Sequence, residues 1–411
     1  MTAATAVKAP GQSPRARLRA FLGRHRSISI LIGMSIITVL LPFIVTLPPL
    51  NGFNAQSVWI DAFATAGIYV LLALGLNVVV GLAGLLDLGY AAFFAIGAYT
   101  YAFGASGFTD LHIPFWPMLL VGALVAAVFG ILLGAPTLRL RGDYLAIVTL
   151  GFGEIVPVVF RNADFRLQGG PNLTNGTNGI AAIDRPSLPS LDLPPFDLGF
   201  IHFNGHLDFL FSSQFPLMYY VVMAVIIAFS LILVYRLQDS RLGRAWQAIR
   251  EDELAAASNG VNTVTTKLLA FALGATTSGL AGVFSASKLV FVSPDQFGFT
   301  VSFTILAMVV LGGMGNAVGV ALGAFIIYIT QAVLLHQLTN FFEPLNIPIL
   351  SEIDFTKYNL LLYGIALVAM MLLRPQGLFP SRQRARELHT AAGEDPMEAS
   401  PEGVDAEGTL A

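Results

Sequence analysis

The chain has 411 residues, 55% hydrophobic and only 11% charged, with a formal net charge of −3 and no cysteine. Soluble domains carry about a quarter charged residues, so this composition describes an all-α polytopic membrane protein. Near-neutral charge argues against a nucleic-acid partner. The lack of cysteine excludes disulfides, thiolate metal sites and cysteine nucleophiles.

Residues 1–27 hold six basic residues and no acid, the pattern of a cytoplasmic tail. The uncharged run Ile28–Leu47 is long enough to span a bilayer and lacks a small-residue cleavage site, so it reads as a signal anchor. Further apolar runs predict spans near 58–80, 88–106, 115–136, 144–160, 215–235, 268–290, 300–315, 317–336 and 358–373, about ten transmembrane helices in all. Placing both termini in the cytoplasm puts 17 of the 22 Lys and Arg residues on that side. The transmembrane permease body thus covers 28–373. Its one long external loop, 161–214, is rich in Asn, Gly and Pro and predicts turns rather than regular structure. That loop reads either as a solvated connector or as a docking surface for a soluble delivery protein. Residues 374–411 start basic, turn acidic and cannot bury a core, so they predict a disordered cytoplasmic tail.

One polar stretch interrupts this pattern. Between Ser240 and Lys267 stand Arg241, Arg244, Arg250, Glu251, Asp252 and Glu253. Ser240 suits an N-cap and Gly260 a C′ position, which predicts a single cytoplasmic helix within 240–266. Leu242, Trp246, Ile249 and Ala256 give it an apolar stripe. Its first-turn arginines oppose the helix dipole, so a partner outside the helix is expected to use these charges, either an anionic lipid surface or a docking protein.

No cofactor site is legible. The phosphate-cradling G-x-x-x-x-G-K-[ST] pattern does not occur, and the glycines of LGGMGN (311–316) predict a helix break. Neither a nucleophile with a base nor a metal-ligand spacing is found, so an enzyme reading lacks support. Polar residues inside spans are the alternative candidates, because each is costly against lipid. Asp87 and Glu154 are expected to line or gate a polar route with Asn77 and Tyr90 as neighbours, or else to form structural pairs, Asp87 with Arg139 or Arg141. VVVGLAG (78–84) and VVLGGMG (309–315) share their glycine spacing, a faint parallel repeat. A permease powered by a separate ATPase fits these features; an ion-coupled secondary transporter is the second reading.

GLNVVVGLAGLLDLGYAAFFAIGAY (75–99), LRLRGDYLAIVTLGFGEI (138–155), GRAWQAIREDELAA (243–256), LGGMGN (311–316) and RPQGLFP (374–380) together resemble the LivM-type permease subunits of branched-chain amino-acid ABC importers. The resemblance covers roughly residues 60–380. It implies a bacterial inner-membrane location, a sister permease, two ABC ATPase subunits and a substrate-binding protein as partners. It also implies leucine, isoleucine and valine as cargo, with urea or short amides as the alternative. The cytoplasmic helix is similar to the coupling loop of such importers, implying ATPase contact through Arg241, Arg244, Glu251, Asp252, Glu253 and Gly260. Leu254 stands where that loop carries an acid, and Glu253 lies one residue early.

Overall fold

The computed structural model describes residues 56–137, 142–163, 174–187, 216–335, 358–374 and 377–379, with Leu140, Phe211, a few positions between 33 and 44 and four two-residue strands between 191 and 207. The predicted span 28–47 lies almost wholly outside these residues, as do the two tails apart from Arg374 and 377–379.

Among the described residues the chain is overwhelmingly helical. The order is α1 (Gln56–Leu76, continued by a π-helical turn Asn77–Leu82), α2 (Ala91–Gly104), α3 (Phe115–Thr137), α4 (Asp143–Asn162) and α5 (Leu217–Gln238). Two short polar helices follow, α6 (Arg241–Glu251) and α7 (Glu253–Ser258). Then come α8 (Thr263–Leu289), α9 (Phe299–Gly312), α10 (Ala317–Ile329) and α11 (Asn359–Leu373). Six helices are long and apolar enough to cross a membrane: Ser57–Leu82, Phe115–Thr137, Tyr144–Asn162, Leu217–Gln238, Thr263–Leu289 and Pro294–Gly312. Three shorter apolar helices, Ala91–Gly104, Ala317–Val333 and Leu360–Leu373, coincide with the remaining predicted runs. Lipid offers the backbone no hydrogen bonds, so an apolar run of this length closes its own ladder as a helix.

The long α8 is the axis of the packing and lies against α1, α2 and α3. Small residues make that possible: a Cβ added at Gly97 of α2 would sit 2.5 Å from the Gly279 carbonyl oxygen of α8. α1 is the most enclosed span, 89% buried, whereas α4 is only 28% buried and presents Ile147, Ile155, Val158 and Val159 outward. α1 therefore belongs to the interior and α4 to a face that lipid or another chain covers.

α2 and the α-helical part of α9 have 14 residues each, about 21 Å at 1.5 Å per residue and shorter than the roughly 30 Å hydrocarbon layer. α9 reaches spanning length only with the 3-10 turn Pro294–Phe297 before it. Each begins at an interruption of the α-helical ladder, and each N-terminus is received by a side chain from elsewhere. The Ala91 N–H donates to Ser302 Oγ at 2.9 Å, and the Phe299 N–H to Glu154 Oε1 at 3.1 Å. Ser302 is one turn into α9, so the two half-helix starts meet within a turn of each other.

Where it is described, the loop within 161–214 is more regular than its composition predicts. Asn175, Gly176 and Gly179 do supply left-handed turns. Between the turns, however, Ile180–Ala181 pair with Phe291–Val292, and the 191–192/206–207 and 196–197/202–203 segments form a hairpin ladder. Asp184 ties the loop to the body: its carboxylate meets His112 Nδ1 at 2.7 Å and its carbonyl accepts from the Tyr101 hydroxyl.

Candidate coupling and translocation site

The polar stretch forms a handle, and it is not one helix. Ser240 caps α6 through Gly243, as expected, but α6 ends at Glu251. Asp252 is extended (φ −153°, ψ 111°), and its Oδ1 accepts from the Leu254 and Ala255 N–H groups. A carboxylate one methylene from the backbone competes with the helical ladder and caps a new helix better than it continues the old one. Gly260, with φ +84°, ends α7 as predicted: its N–H meets the Ala257 carbonyl and the Val261 N–H meets that of Ala256, a Schellman motif.

Three contacts weld the handle to the spans. Trp246 is wholly buried and donates Nε1–H to the Thr266 carbonyl at 2.7 Å, in the first turn of α8. Lys267, almost fully buried, meets Glu253 Oε1 at 2.6 Å, tying α7 to α8. Arg250 Nη1 donates to the Gly81 carbonyl at 2.7 Å, and its stem covers Gly84, whose φ is +71°. The outward side of the handle carries Arg241, Arg244, Glu251, Asp252 and Gly260, all exposed. Arg244 also donates to the Asp239 carbonyl.

Arg250 ends at the π-helical turn, where a second knot begins. Asn77 Oδ1, fully buried, accepts from the Gly315 N–H at 2.8 Å. Gly315 lies in the tight turn between α9 and α10, with Gly313 at φ +109°. Residues 377–379 close over this turn: the Leu378 and Phe379 N–H groups donate to the Leu311 and Gly312 carbonyls, and Asn316 Nδ2 donates to the Phe379 carbonyl. Both glycine-rich echoes of the sequence therefore meet in space.

The four residues expected along a route fall into two places. Asn77 and Tyr90 are wholly buried ties; the Tyr90 hydroxyl donates to the Gly274 carbonyl at 2.7 Å and lies 3.3 Å from Thr277 Oγ1. Asp87 is buried in the non-helical turn before α2, outside the spanning helices. Its Oδ1 accepts from Gly89 at 2.9 Å, and its Oδ2 has no partner among the described residues. Burial pushes this carboxyl up to about 6, partly offset by the Gly89 N–H. Arg139 and Arg141, the other expected partners of Asp87, lie outside the described residues. Glu154 is exposed on the outward face of α4 and caps α9. Thr149, one turn earlier on α4, accepts from the Leu88 N–H, so α4 touches both half-helix starts. The Trp246, Lys267 and Arg250 welds were not singled out by sequence reasoning, because each joins residues whose proximity only the packing creates.

Apolar helices of membrane-crossing length, breaks between them and a polar handle packed against their ends are the build of a membrane transport component. Residues 58–371 match the family described as branched-chain amino acid transport system / permease component, and the chain belongs to that family. It is 40% identical over 336 residues to the high-affinity branched-chain amino acid transport system permease protein LivM of Escherichia coli strain K12, covering 81% of this chain and 72% of that one. The probable LivM of Methanocaldococcus jannaschii is 25% identical over 77% of this chain and 91% of its own. The LivH permease of the same Escherichia coli strain is 27% identical over 64% and 80%. No solved structure matches the chain.

Proposed function

We propose that this chain forms one half of the translocation pathway of an ATP-driven importer for leucine, isoleucine and valine in a bacterial cytoplasmic membrane. It has ten spans, with both termini and the handle inside. Its partners are a sister permease, two ABC ATPase subunits and a substrate-binding protein. Likeness to both LivM and LivH supports a pair of related permeases, and the names of those relatives support the cargo.

The observation that carries this reading is the welded handle. A loop meant only to solvate a connection would not bury a tryptophan and a lysine and reach the π-helical turn through Arg250. ATPase closure moves the exposed side bearing Arg241, Arg244, Glu251, Asp252 and Gly260. Trp246 and the Glu253–Lys267 pair carry that motion to α8, and Arg250 carries it to the break after α1. The break holds Asp87 and the start of α2, which abuts the start of α9. Glu154 faces the route from α4, since an exposed carboxylate inside a span is costly against lipid. Asn77 and Tyr90 keep the moving parts in register.

The test is reconstitution in proteoliposomes with the cognate ATPases and binding protein, measuring ATP-dependent uptake of leucine against urea. Leucine uptake is expected, with Arg244→Glu assembling but losing coupling of hydrolysis to transport. Uptake by the purified chain alone, or urea in place of leucine, overturns the reading.

A further inference from the structure

α4 is held at both ends, and a hinge lies between the holds. Its inner half is pinned: the Thr149 hydroxyl accepts from the Leu88 N–H at 3.1 Å, and a Cβ added at Gly153 would sit 2.8 Å from the Gly89 Cα. Pro157 then offers no N–H to the Gly153 carbonyl, so the helical ladder has a gap just past Gly151 and Gly153. Proline is a recurrent bending point of helices. Little of α4 is buried, so little packing opposes a swing of its outer half.

Two contacts fasten α4 to the segment that starts α9. Glu154, before the gap, receives the Phe299 N–H. Arg161, beyond the gap and seven residues on, therefore on the same face, pairs with Asp295 in the 3-10 turn Pro294–Phe297. Both side chains of this pair are largely exposed, at the end of the molecule that carries the loop ladder. An ion pair open to water holds weakly. It makes a poor staple, but a contact that can part in every cycle at small cost.

Behind the pair lies a buried hydroxyl. Tyr99 of α2 is 1% exposed, and its ring centroid lies 4.3 Å from that of Phe160 and 6.2 Å from that of Phe297, one ring from each side of the fastening. The Tyr99 hydroxyl has no partner among the described residues. A buried hydroxyl without a bond is costly and calls for an explanation. One that meets water or solute when the aromatic pack parts has it.

We propose that the outer half of α4 is the external gate of the route. It swings at Gly151–Pro157, Arg161–Asp295 is its latch, and the Tyr99 hydroxyl is the first polar group behind it that an entering amino acid meets. The proposal rests on the permease reading and its orientation, and it adds a moving part at the end opposite the handle. The loop straps the gate: Thr174 Oγ1 donates to the Phe160 and Ala163 carbonyls, while Ile180–Ala181 pair with Phe291–Val292 beyond the latch. A protein that lifts the strap acts on both sides of the latch and shifts the population toward the open arrangement.

The absence of cysteine lets introduced thiols report the gate. In intact spheroplasts carrying the assembled importer, Tyr99→Cys should react slowly with a membrane-impermeant maleimide. Adding Arg161→Asp should speed that reaction at least tenfold, and Arg161→Asp together with Asp295→Arg should slow it again. Phe297→Cys repeats the measurement should Tyr99→Cys fail to assemble on size exclusion. Separately, Arg161→Cys with Asp295→Cys, bridged by a short bifunctional methanethiosulfonate before reconstitution, should cut ATP-driven leucine uptake at least tenfold. Reductant should restore uptake, and neither single variant should respond to the reagent. Equal labelling with and without the latch, a swapped pair that labels as fast as Arg161→Asp, or full uptake by the bridged importer overturns the gate. Urea uptake in place of leucine, or uptake by the chain alone, sinks the functional reading instead, and the labelling rates still decide the gate.

Discussion

At the scale of single residues, burial separates the ties from the moving contacts. Asp87 keeps one oxygen on the Gly89 N–H and buries the other without a partner among the described residues. Its folded carboxyl is raised to about 6 from 3.8, so the folded state holds a proton that the unfolded state releases across that window. Stability therefore falls as pH rises through the window and stays lower above it. Asp87→Asn keeps the acceptor and removes the charge. It should melt higher than wild type at pH 8 in detergent, with the difference vanishing near pH 4; a lower melting temperature at pH 8 would mean that the carboxylate has a charged partner. Trp246 offers a complementary measurement. Trp246→Phe removes the indole bond to the Thr266 carbonyl, which the α8 ladder still serves, at about 0.5–1.5 kcal/mol, whereas Trp246→Ala also opens a cavity, at about 3–5 kcal/mol. Hydrogen exchange across α6 should quicken in that order, and unchanged protection in the alanine variant would detach the handle from α8.

At the scale of elements, the handle divides where a capping residue outweighs an apolar stripe. Leu242, Trp246, Ile249 and Ala256 keep helical spacing across the whole stretch, which is why periodicity predicts one helix. The competing signal was an aspartate in the middle of it. α7 has only six residues, too few to persist alone. It depends on the Asp252 cap, the Schellman turn at Gly260 and the Glu253–Lys267 pair. Asp252→Ala should destabilise α7 by about 0.5–2 kcal/mol, visible as fast exchange over 253–258 and a lower ratio of transport to hydrolysis, with Asp252→Asn largely restoring both. Equal protection in wild type and alanine variant would assign α7's order to the ion pair instead. The spanning elements were far more legible, because an uninterrupted apolar run admits only a helix in lipid. The half-helices were less so: the run 88–106 includes Leu88, Gly89 and Tyr90, which the structure spends on the break. There the backbone N–H groups go to Thr149 and Asp87 side chains, a pairing that hydropathy cannot register.

At the scale of the whole molecule, what composition left unread is who touches whom. The shared glycine spacing at 78–84 and 309–315 was visible as a faint echo, but a bond from Gly315 to Asn77 across 238 positions follows only from how α1, α9 and α10 pack. The same packing gives the molecule two unlike ends. One carries the handle, the α9–α10 turn and the 377–379 segment; the other carries the loop ladder and the Lys288–Asp61 pair at 2.8 Å. On the topology we propose, the distribution of basic residues puts the handle end in the cytoplasm, and the coupling role depends on that placement. The sequence makes it directly testable, since it contains no cysteine to compete with an introduced one. Ser258→Cys lies exposed at the end of α7, and Gly107→Cys lies exposed in the turn after α2. In intact spheroplasts a membrane-impermeant maleimide should modify the second variant and spare the first until the membrane is opened, because the helices between them cross the bilayer an odd number of times. The reverse pattern would place the handle outside, where no ATPase could reach it, and labelling of both from one side would require one of the spans between them to turn back.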